Sequence, residues 1–147
     1  MSEIKHIHAT ATIEQFVIPS NIRSKHKTIH EWLTSICHGK KPTETILEFT
    51  IRLISSETSG EHIVCLYGVN SRIDGPYSTY TYVVFKPSNL WFKFPKLQYR
   101  KCNYEQIQEE LTKQVKDFTL TELFQNSFLS KADIKTSFGQ NPIWTIK

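Results

Sequence analysis

Histidine and cysteine are the residues here with the most chemistry to offer. The 147-residue chain carries six histidines and three cysteines. His26 and His30 stand four positions apart, a spacing that on a helix brings two imidazoles to one ion, as in half of a zinc site. His6 and His8 share one face of a strand end in the same way. Lys25 and Lys27 flank His26, however, and oppose a dication, and no third ligand is fixed by spacing. Exposed histidines on a basic helix are the expectation, with no metal and no other cofactor.

The nucleophiles are equally plain. Cys37 and His38 are adjacent near the expected end of a helix, the wrong pole of the dipole for a thiolate. Cys65 lies in the most apolar segment, where a thiol is inert. Cys37, Cys65 and Cys102 are too few and too scattered for a disulfide framework or a C-x-x-C knuckle, and read as reduced thiols. There is no G-x-S-x-G elbow and no phosphate-binding glycine loop. Glu109 and Glu110 read as a solvated helix face. No catalytic residue is expected, and the chain reads as a binding protein and not as an enzyme.

A binding surface is better supported. Residues 75–104 contain no Asp or Glu but hold Lys86, Lys93, Lys96, Arg100 and Lys101 among Tyr77, Tyr80, Tyr82, Phe85, Trp91, Phe92, Phe94, Tyr99 and Tyr104. If Leu90, Phe92 and Phe94 face the core, Trp91 and Lys93 face away from it. Tyr80 and Tyr82 share one face of the preceding strand. The candidate binding residues are therefore Tyr80, Tyr82, Trp91, Lys93, Lys96, Arg100 and Lys101. Rings and cations on one sheet face suit single-stranded nucleic acid, whose bases stack while its phosphates meet the lysines. The same types dominate protein interfaces. They would equally serve as core aromatics with lysines at the rim. A second basic cluster, Arg23, Lys25 and Lys27 with Lys40 and Lys41 beyond, sits where cations oppose a helix dipole or are simply solvated.

The elements that position these residues follow from periodicity. Residues 7–18 alternate as a strand ended by Pro19. A helix runs from Ser20 or Ser24 to His38, with Ile22, Ile29, Trp32, Leu33, Ile36 and Cys37 on one face and Gly39 and Pro42 as its stop. Residues 44–54 form a strand with Leu47, Phe49, Ile51 and Leu53 in the core and Glu48, Thr50 and Arg52 in water. After a turn over 55–60, residues 62–69 are apolar at nearly every position, so both faces are expected to be covered. Strands over 77–86 and 90–95 follow, with a tight turn at Pro87–Ser88–Asn89 between them. Asn103 and Gln106 form a capping box that opens a helix over 104–118, and residues 120–129 form a second. The last stretch, to Ile143, Trp144, Thr145 and Ile146, is left open by its pattern, with a short strand that closes the sheet as one option. The fold class is α+β: an antiparallel meander of four or five strands, one helix before it and one or two C-terminal helices.

Composition sets the outer bounds. At 39% hydrophobic and 22% charged, 1–147 reads as a single globular domain with one core. No apolar run has the length of a membrane span, and no apolar leader opens the chain, so a cytoplasmic protein is expected. The net charge of +4 permits nucleic acid or an acidic protein as partner and demands neither.

Residues 16–19 (Phe-Val-Ile-Pro), the helix segment 29–33 with Trp32 and Leu33, the stop at Gly39 and the amphipathic strand 45–53 together resemble the immunity proteins of bacterial contact-dependent growth inhibition systems. The likeness is to the group with a Whirly-like sheet, and residues 103–123 are similar to its C-terminal helical region. The resemblance implies a cytoplasmic antitoxin that binds and neutralises one cognate toxin domain through protein–protein contact, without catalysis. A basic inhibitor then calls for an acidic toxin surface, or for binding away from the toxin's active site. The alternative function is a single-stranded nucleic-acid-binding protein that uses the aromatic, basic sheet face.

Overall fold

The computed structural model describes residues 13–15, 22, 25–55, 61–74, 76, 79–138 and 144–146. Strands are β1 (Ile13–Gln15), β2 (Glu48–Ser55), β3 (His62–Asp74), β4 (Thr79–Phe85), β5 (Trp91–Lys93), β6 (Asp133–Phe138) and β7 (Trp144–Ile146). Helices are α1 (Ile29–Cys37), the short α2 (Lys96–Tyr99), α3 (Tyr104–Thr119) and the short α4 (Glu122–Gln125), followed by a 3-10 turn at Phe128–Lys131. The class is α+β, with a mostly antiparallel sheet ordered β1-β7-β4-β3-β2-β6. Two of its pairings are parallel, β2 with β6 and β4 with β7. Among the described residues no helix is long and apolar enough to cross a membrane.

The helices form where the local signals lie. Thr28 caps α1, its Oγ1 accepting from Glu31 N–H, while the Glu31 carboxylate accepts from Lys27 N–H. This cap starts the helix later than the apolar spacing suggested, so His26, Lys25 and Lys27 precede it and only His30 lies on it. At α3, Asn103 Oδ1 accepts from Gln106 N–H and Gln106 Oε1 accepts from Asn103 N–H, the reciprocal box read from the sequence. The helix expected over 120–129 is shorter, α4 alone, because Ser127 interrupts the backbone in an extended conformation and the 3-10 turn follows.

One core lies between the sheet and the helices. Phe49, Ile51, Leu53, Val64, Leu66, Phe85, Phe92 and Phe94 from the strands meet Ile29, Trp32, Leu33 and Ile36 of α1 and Ile107, Leu111, Val115 and Phe118 of α3. Leu47, expected with them, precedes β2 and is 55% exposed. Trp32 is fully buried, and its Nε1–H donates to the Asn89 carbonyl at 2.6 Å.

The 62–95 region departs from a simple meander. β5 does not turn back on β4. Both run antiparallel to β3 on the same side of it, β4 along the C-terminal half of β3 and β5 along Ile63–Cys65. They are one strand interrupted at residues 86–90, a detour that Asn89 holds against α1 through Trp32 and Ser35. The Pro87–Asn89 turn signal is real, but it makes a bulge and not a reversal. Gly68 sits at this break, where an added Cβ would stand 3.0 Å from Phe85 Cβ and 2.9 Å from Ile46 Cδ1. The last stretch takes the strand option at β7, but inside the sheet, between β1 and β4, and Ile143 lies outside the described residues. Of the strand expected over 7–18, residues 13–15 are in β1, and the remainder lies outside the described residues, as do His6, His8, Arg23 and Tyr77.

Candidate partner-binding surface

The seven candidate residues do not form one platform. Val83 packs with Cys65, Tyr67 and Val69 in a small cluster on the face away from the helices, and Leu90 and Trp91 join it. Strand alternation puts Thr81 on that face and sends Tyr80 and Tyr82 to the helix side. Trp91 and Lys93, paired with Cys65 and Ile63, stay on the far face. The tyrosine pair and the Trp91–Lys93 pair thus point to opposite sides of the sheet. Leu90, expected in the core, belongs to the far-face cluster instead.

Lys93 is engaged. Its Nζ lies 2.9 Å from Glu61 Oε1, in the residue just before β3. The hydrogen bond from Lys93 holds the Glu61 carboxyl below its usual range, and the charges of Lys93 and Lys96 act in the same sense. The acid missing from residues 75–104 is therefore supplied across the strand pair.

The remaining cations gather in six residues. Helix α2 is anchored from below, because the Tyr99 ring packs edge-on against Phe94, with centroids 5.0 Å apart. Lys96 opens α2, Arg100 caps it and Lys101 follows, and all three are exposed. Lys96 and Arg100 are four apart, so one helical turn presents both on one side.

The far face also holds a polar network that periodicity alone assigned to water. Glu48 and Thr50 are buried, and Arg52 is half-buried. Glu48 forms an ion pair with Arg72, and Arg52 Nη1 donates to Ser137 Oγ at 3.0 Å. Tyr67 sits among them at 3% exposure, and burial pushes its phenol up to about 12. The signal for this lay in residues 62–69. A strand apolar on both sides is covered on both sides, and β2 shares its faces.

Burial raises the Cys37 thiol, against a hydrogen bond with Ser127, and pushes Cys65 up to about 12. His30 packs edge-on to Phe118 at 5.2 Å. Among the described residues no group of three or more His, Cys, Asp or Glu is placed to hold a metal. One further pair, Ser55 Oγ and His62 Nδ1 at 2.6 Å, is buried where β2 meets β3. No family model, no curated protein and no solved structure matches this chain.

Proposed function

We propose that the chain is a cytoplasmic immunity protein, a non-catalytic inhibitor that binds an acidic surface of a cognate toxin domain through Lys96, Arg100 and Lys101. One observation carries this reading: the division of the aromatic and basic residues. Base stacking along a strand needs rings and cations on one continuous face. Here Tyr80 and Tyr82 lie opposite Trp91 and Lys93, and Lys93 is matched by Glu61. What stays exposed is a compact cationic turn on a buried anchor, a shape suited to steering and docking an acidic protein. The likeness of the helix and strand motifs to immunity proteins points the same way.

The test is affinity capture from the native cell with nuclease treatment. The reading expects one stoichiometric protein that survives the nuclease. Loss of every partner on nuclease treatment would overturn it in favour of single-stranded nucleic acid, for which the shared face of Trp91 and Lys93 would be the remaining support.

A further inference from the structure

We infer that the outer edge of β6 is a self-complementary surface, and that two copies of this chain pair there to continue one sheet across a two-fold axis. β6 is the last strand in the sheet order and pairs only with β2 among the described residues. Its register with β2 runs unbroken through six residues, Asp133 to Phe138, with no bulge. It contains no proline. A regular edge of this kind offers a row of backbone groups to a further strand, and folded proteins usually block such a row with charged side chains, a proline or a bulge.

β6 carries two charges of opposite sign two residues apart. Asp133 and Lys135 are both exposed and lie on the same face. Neither makes an ion pair among the described residues. A two-fold axis normal to the sheet keeps each face on its own side, so paired residues must share a face. Centring the axis on Ile134 sets Asp133 opposite Lys135 of the second copy, and Lys135 opposite Asp133. Two complementary cross-strand pairs then flank the axis on one face. On the other face half-buried Ile134, already against the core, meets its own copy. Centring on Lys135 would instead oppose two lysines. Of these two registers the charge pattern selects the one centred on Ile134, in which residues 133–135 of each copy pair, and it points to a second copy as the occupant.

Sedimentation equilibrium of the purified chain and its charge variants tests this. The wild type is expected to dimerise. Asp133→Lys or Lys135→Asp alone, both at exposed positions and checked for folding by circular dichroism, should each weaken the dimer about tenfold. The doubly exchanged Asp133→Lys/Lys135→Asp protein should recover it, and mixing the two single variants should give a heterodimer, because unlike charges again face each other. A monomeric wild type, or single variants that dimerise as well as the wild type, would overturn the proposal.

Discussion

Lys93 of β5 and Glu61, the residue before β3, close a 2.9 Å ion pair across the strands. The pair removes from the basic segment a lysine that shares a face with Trp91. Lys93→Ala is therefore expected to change partner affinity less than about twofold, since a half-buried lysine already matched by Glu61 has little charge left to offer a partner. Arg100→Ala with Lys101→Ala should lower affinity about tenfold, mostly through a slower association rate. Surface plasmon resonance with the captured partner separates the two effects.

The split of the aromatic residues makes a prediction about nucleic acid. With Tyr80 and Tyr82 turned from Trp91, these three rings offer no continuous stacking face. Fluorescence anisotropy with a labelled single-stranded oligonucleotide should report binding weaker than about 10 µM at physiological salt, the level of generic charge attraction. Trp91→Ala should leave that value unchanged.

Trp32 ties α1 to the interruption between β4 and β5 through its bond to the Asn89 carbonyl. Trp32→Phe keeps a ring beside Phe92 but deletes the donor and part of the buried volume. The expected loss of stability is about 1–3 kcal/mol by urea denaturation.

How much of this was legible in the sequence depends on the range of the interaction involved. Helix α3 was readable almost to the residue, because its capping box and its buried face, Ile107 to Phe118, are local. The alternation of β2 was readable too, but the burial of Glu48 and Thr50 was not. That burial depends on the far face of a partner strand and on Arg72, distant in sequence. The interrupted strand was hidden for a related reason. A turn signal at residues 87–89 looks the same whether the chain then reverses or resumes its course, and only the anchoring of Asn89 by Trp32 decides it. β6 was missed: its six residues offer only a short alternating pattern, and their partner is β2, far back along the chain.

The Glu48–Arg72 pair lends itself to a double-mutant cycle. Glu48→Ala leaves a half-buried guanidinium unmatched and should cost about 1–3 kcal/mol, whereas the Glu48→Ala/Arg72→Ala protein should lose less than the two single variants summed. Additive losses would mean that the pair contributes nothing of its own.

His62 gives the fold a pH dependence of known sign. Burial lowers its pKa from the ordinary 6.5, so the folded chain favours the neutral ring beside Ser55. The unfolded chain takes up the proton first, and stability is complete above pH 6.5 and declines as pH falls through that value toward the lower folded pKa. Urea midpoints at about pH 7.5 and about pH 5.5 should differ in that direction, and His62→Gln should reduce the difference.

Docking through the 96–101 turn is tested by comparing capture by the wild type with capture by Lys96→Glu/Arg100→Glu/Lys101→Glu, from nuclease-treated lysate of the native cell. One acidic protein should be held by the wild type and lost by the charge-reversed chain, with both chains equally folded. Retention of the same partner by the charge-reversed chain would contradict it.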